Sequence, residues 1–184
     1  PVRLNKEDKQ TWRAAPAKGP LVLRTVVHAH DPSVRSAWLD RRRGFFNGTS
    51  LFLEPEGHDH RPCELDLEPP AEGSVDGEWT VATALTPAGA AEGGFGSYRA
   101  ADYATLIDSP VAMAPLARVG FEVAGIPHTI AISGHHRADL QRLAEDVRAI
   151  CEEQVAVFGD LPVTERYVFY LHVVGDGYGG LEHA

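Results

Sequence analysis

The chain has 184 residues, 17 Lys and Arg against 26 Asp and Glu, and a net charge of −9. That imbalance argues against non-specific binding to nucleic acid or to an anionic membrane, since both require clustered basic residues. Hydrophobic residues make up 43%, a globular and not a disordered composition, and no apolar run is long enough to span a membrane as a helix.

Residues 2–4 and 11–13 flank the polar stretch 5–9 and are predicted to form a short hairpin, with Trp12 turned to the core. Residues 21–28, LVLRTVVH, are rich in β-branched side chains and bounded by Gly19-Pro20 and Asp31-Pro32, which makes them the strongest expected strand of the first half. Strands are expected at 36–40 and 50–53, around a Phe45-Phe46-Asn47-Gly48 turn, and again at 79–84. The basic run Arg41-Arg42-Arg43 reads as a solvated loop. Residues 69–77 and 87–96 are looser connections, and 103–107 a short helical turn that stops before Pro110. A hairpin of 119–123 and 129–133, joined by Ala124-Gly125-Ile126-Pro127, closes this part. Strands so spaced, separated by Gly, Pro and Asp clusters, predict an antiparallel β-sandwich over residues 1–134.

The pattern then changes. Leu140, Leu143, Ala144, Val147, Ile150, Cys151, Val155 and Phe158 recur at helical spacing, with charged residues between them. Gly159 is placed to cap this helix and Pro162 prevents its continuation. A strand at 166–174 follows, so 135–184 is expected to be the first helix and strand of a second, α+β domain.

Cys63 and Cys151 stand at unrelated spacing, which suits a reducing cytoplasm better than a disulfide framework. His58, His60 and Glu64 have the His-x-His-x-x-x-Glu spacing of a cupin-like metal motif, but Pro62 interrupts the strand which that geometry needs. His28 and His30 end a strand, His128 sits in a hairpin where a structural hydrogen bond is expected, and His172 lies on the opposite strand face from Tyr167, Phe169 and Leu171. Ser109, a histidine and Asp108 could make a nucleophile, base and orienting acid on paper, but no Gly-x-Ser-x-Gly elbow is present and nothing in the sequence brings the three together. Gly93-Gly94-Phe95-Gly96 lacks the context of a phosphate-binding loop.

The sequence closes with Tyr178-Gly179-Gly180-Leu181-Glu182-His183. Two residues without Cβ let a ligand approach the backbone, and the neighbouring carboxylate can take a charge-assisted hydrogen bond from an amine. A plain flexible turn over 175–180 is the alternative.

Ser33-Val34-Arg35, Gly44 to Thr49, Asp102-Tyr103, Leu106 to Pro110, Gly125 to His128, Phe158-Gly159 and the terminal Gly-Gly-Leu-Glu-His occur in order. Together they resemble the glycyl-aminopeptidase family of gluzincin zinc peptidases, whose members usually carry a C-terminal PDZ domain. The resemblance implies that residues 1–134 are an N-terminal domain incomplete at its start, that residues 135–184 begin a truncated gluzincin catalytic domain, and that the chain is a piece of a longer enzyme. It implies removal of small N-terminal residues from peptides, with Gly179 and Gly180 lining the substrate backbone and Glu182 binding its α-amine. It also implies zinc in the parent enzyme. The nine histidines contain no His-Glu-x-x-His spacing, so no catalytic residue, no metal ligand and no hydrolytic activity are expected of this chain alone. The expected partner is a peptide, with neither nucleic acid nor membrane. A non-catalytic β-sandwich scaffold, dimerising through an exposed sheet edge, is the reading from a different functional class.

Overall fold

The computed structural model describes residues 2–161 and 165–183. Among them the chain is mainly β, with several antiparallel sheets and two α-helices. A hairpin of β1 (Leu4–Lys6) and β2 (Trp12–Ala14) forms a two-stranded sheet of its own. Trp12 does not face the core: it is 45% exposed, with the Lys6 ammonium 5.5 Å from its ring centroid. A hairpin this small has no second layer to bury an indole against.

The expected strand at 21–28 is absent. Residues 20–29 hold no regular element, and Val22 and Val26 are almost fully exposed. β-Propensity is realised only when a ladder partner exists. Here the chain touches its neighbour only at the end of the run, through a Leu39 N–H bond to the Ala29 carbonyl and a single bridge from His30 to Trp38.

β3 (Ala37–Leu39), β4 (Gly44–Phe46), β9 (Val111–Ala114) and β6 (Thr80–Ala82) form a four-stranded antiparallel sheet in the order β3-β4-β9-β6. β4 replaces the turn expected at Phe45-Phe46, and no strand forms at 50–53. Instead the Asn47 side chain caps a single 3₁₀ turn at Gly48–Ser50. β5 (Cys63–Leu67), β8 (Gly96–Ala100) and β7 (Thr86–Pro87) make a second antiparallel sheet.

β10 (Ala117–Val123) and β11 (Ile126–Ser133) form the expected hairpin with a tighter turn, Ala124-Gly125, both at positive φ. The long helix appears as predicted: α2 (Leu140–Phe158), capped by the Asp139 carboxylate on the Arg142 N–H and by left-handed Gly159. β12 (Tyr167–His172) then pairs parallel to β11, making a mixed sheet β10-β11-β12 whose crossover contains α2. This sheet takes strands from both sides of residue 134, so the expected boundary falls inside it.

Alternation along the strands explains how the layers stack. Ala37, Phe46, Val81 and Val111 lie on one face of the four-stranded sheet and pack with Leu67, Tyr98 and Ala100 of the second sheet. Their neighbours Phe45, Ala82 and Ala112 lie on the other face and pack with Ala131, Val168 and Tyr170 of the mixed sheet. The central sheet is therefore covered on both sides. Arg118 Nη2 of the mixed sheet donates to the Val81 carbonyl of the central sheet at 2.6 Å, and Arg166, just before β12, reaches Glu92 in the β7–β8 connection at 3.4 Å. A cavity of about 230 Å³ lies among these arginines, Tyr98 and Val168.

Candidate functional site

The site is built on a short helix. α1 (Tyr103–Ile107) forms as the sequence predicts because the Asp102 carboxylate accepts the Thr105 N–H at 2.7 Å. Hydrogen bonds from the Thr105 backbone and then its hydroxyl hold the Asp102 carboxyl below the usual aspartate range. Leu106 anchors the helix in the core, and Asp108 closes it, its N–H bonding the Ala104 carbonyl.

The 3₁₀ turn packs directly against α1. Gly48 is buried there, and a Cβ on it would come within 2.7 Å of Ile107 Cα and 3.0 Å of the Leu106 carbonyl oxygen. Asn47, also buried, accepts the Thr49 hydroxyl at 2.7 Å. The Tyr103 hydroxyl donates to the Phe52 carbonyl at 3.1 Å, tying α1 to the segment that follows the turn.

Onto this platform comes the end of the chain. After β12 the Val173 N–H bonds the Ser133 carbonyl at 2.9 Å, an approach that needs Gly134: at φ +91° a Cβ there would lie 2.3 Å from the Val173 carbonyl oxygen. The glycine-rich segment then runs across solvent, with Gly179 and Gly180 exposed and free of other atoms within 4 Å of an added Cβ. Leu181, Glu182 and His183 return to line one open groove with Arg35, Asn47, Thr49, Asp102, Thr105, Asp108 and Ser109. His183 Nδ1 lies 2.7 Å from Asp108 Oδ1, and the Glu182 side chain is exposed.

Segments read separately in the sequence thus meet in one place: Arg35, Asn47 to Thr49, Asp102 to Ser109, and Leu181 to His183. Three carboxylates, Asp102, Asp108 and Glu182, share the groove with Arg35 and His183, an arrangement suited to an ammonium group. Asn47 and Thr49 have no site role in the sequence reading, and Asp108 enters it only as the acid of a paper triad with Ser109 and a histidine; the groove does bring Asp108, Ser109 and His183 together. The only signal for Asn47 and Thr49 is their membership of the ordered motifs.

The other expected sites resolve differently. His58 and His60 lie in an exposed turn before β5, not on a strand, and do not gather with Glu64. Among the described residues no three His, Cys, Asp or Glu side chains converge as a metal-ion cage, so these residues do not fit a zinc ion by themselves. His128 is buried, with Nδ1 2.8 Å from the Ile126 carbonyl, and stacks against Phe121 and Tyr167. His172 bonds through Nδ1 to the buried Ser133 hydroxyl, which also meets the Tyr170 hydroxyl, each at 2.8 Å. Burial, followed by the Arg43 charge, lowers its pKa. The two cysteines are free and half-buried, and no helix among the described residues is long and apolar enough to cross a membrane.

Comparison with known proteins agrees with this architecture. Residues 1–115 match the family model described as the Peptidase M61 N-terminal domain, ending two residues before β10 begins at Ala117. A crystal structure of an aminopeptidase N family protein from Idiomarina loihiensis is 39% identical, with a TM-score of 0.89 over 99% of this chain and 30% of that one. The chain therefore spans less than a third of that protein. No curated protein matches. With more than half of its length covered by the family model, the chain belongs to the Peptidase M61 N-terminal domain family.

Proposed function

We propose that the chain is a fragment of the N-terminal domain, with the start of the catalytic domain, of a zinc aminopeptidase that removes Gly and Ala from peptide N-termini, and that the groove beside α1 receives the substrate's α-amine. The convergence of Leu181, Glu182 and His183 with α1 and the Asn47 turn carries this reading, because it sets an exposed carboxylate beside open glycine backbone. Glu182 would take the ammonium as a charge-assisted hydrogen bond, and Gly179 and Gly180 would let the substrate main chain approach. Small N-terminal side chains follow from an amine held close to protein backbone.

In this reading zinc, a gluzincin catalytic domain beginning within the mixed sheet, and a PDZ domain belong to the parent peptidase. This chain supplies recognition without hydrolysis. The free thiols Cys63 and Cys151 fit a cytoplasmic parent.

The test is Glu182→Gln in the full-length peptidase. Fixing an amine relative to the scissile bond is a positioning effect, so glycyl-anilide turnover should fall by roughly 10²-fold or more. Turnover equal to wild type refutes the assignment.

A non-catalytic interaction module has one observation in its favour, the exposed run Leu21, Val22, Leu23, Val26 and Val27. Such a module would self-associate through that run or a free sheet edge. A strictly monomeric chain in concentrated sedimentation experiments rules this out.

A further inference from the structure

We propose that Asp108 is a positioning residue for the Glu182 loop, acting through His183. The functional consequence rests on the reading of Glu182 as the amine clamp; the clasp itself is a property of this chain.

The loop supplies little restraint of its own. Gly175, Gly177, Gly179 and Gly180 have no atom within 4 Å of an added Cβ, and Gly177 has φ +88°. Ordering one residue costs about 1–2 kcal/mol of backbone entropy, more for glycine. Among the described residues, the next hydrogen bond along the chain after that of Val173 is the one between His183 and Asp108. Among the described residues the recognition loop is thus hydrogen-bonded to Ser133 at its start and to Asp108 at its end.

The second anchor is rigid. Asp108 terminates α1, whose first turn is capped by Asp102, whose Leu106 is buried in the core and whose Ile107 backbone lies against Gly48. The His183 side chain is 21% exposed and that of Asp108 41%, so water screens the pair only in part. Glu182 sits between Leu181, half-buried in the groove, and the clasped His183. Its backbone is fixed on both sides while its carboxylate stays exposed. A recognition group held this way depends on a rigid element outside its own loop.

The experiment has two arms. In the first, ¹⁵N order parameters are measured on this chain for wild type, Asp108→Ala, His183→Ala, and the exchanged pair Asp108→His with His183→Asp. The backbone order parameters of Leu181 and Glu182 should fall from about 0.8 to below about 0.6 in either single variant. The exchanged pair should restore them, since histidine is also favourable at a helix C-terminus. His183→Ala removes the donor and leaves the core untouched, so unchanged order parameters in that variant overturn the proposal.

In the second arm, Asp108→Ala in the full-length peptidase should raise KM for free-amine glycyl substrates by about tenfold, the scale of a coupled contact pair. The exchanged pair should recover it. A loop that loosens with no change in KM removes Glu182 as the clamp and leaves the clasp standing. A loop that stays rigid removes the clasp, while Glu182→Gln still decides the clamp.

Discussion

Gly48→Ala isolates the contact on which the groove is built. The new methyl would lie 2.7 Å from Ile107 Cα, 3.0 Å from the Leu106 oxygen and 3.2 Å from the Ile107 oxygen. Carbon atoms in contact sit at about 3.5–4.0 Å, so α1 or the 3₁₀ turn must retreat by roughly 1 Å. All three neighbours are backbone, and no rotamer change relieves them. Overpacking of this kind costs about 1–3 kcal/mol. Against it stands the reduced entropy of the unfolded chain when glycine becomes alanine, about 0.4–1 kcal/mol. At the middle of both ranges strain wins by about 1.3 kcal/mol, within bounds of about 0 to 2.6 kcal/mol. At about 2–4 °C per kcal/mol for a domain of this size, that middle value lowers the melting temperature by roughly 3–5 °C. Urea and thermal melts monitored by circular dichroism measure this, with Gly179→Ala as the control because nothing lies within 4 Å of its added methyl. A Gly48→Ala chain as stable as that control would refute the inferred packing of the turn on α1.

Two further outcomes follow from capping and from burial. Asp139→Ala removes the carboxylate that accepts the Arg142 N–H at 3.1 Å and should cost about 1 kcal/mol in urea unfolding; a value near zero would mean that α2 is fixed wholly by its packing on the mixed sheet. The pKa of His172 is lowered from 6.5 by burial first and then by Arg43, so between the folded value and 6.5 the unfolded chain binds the extra proton. Stability should therefore rise with pH through that window and fall as acid charges the ring beside Arg43. His172→Gln should flatten this part of the stability profile, and an unchanged slope would assign it to other groups.

Elements with strong local determinants were legible in advance. α2 carries a helical apolar period that runs to a glycine stop, and its observed end at Gly159 matches it, while the Asp139 cap at its start comes from the structure. α1 and the β10–β11 hairpin likewise owe their positions to a cap and a turn. The strands of the central sheet were harder to read. Phe45-Phe46 and Val111-Ala112 bury adjacent residues against different layers, so no alternation of polar and apolar residues marks them. The converse error occurred at residues 21–28, where high β-propensity met no strand to pair with.

The same division holds at the site. The local chemistry of Gly-Gly-Leu-Glu-His is a property of the sequence: open backbone followed by an acid. Its setting is not, because Asp108 lies 75 residues earlier and meets His183 in a structure where α1 is seated on Gly48 and β12 is paired with β11. Residue types and short spacings determine capping, periodicity and the chemistry of a loop. Which distant carboxylate holds that loop is decided by how the layers stack, since contacts across a core leave no regular spacing along the chain.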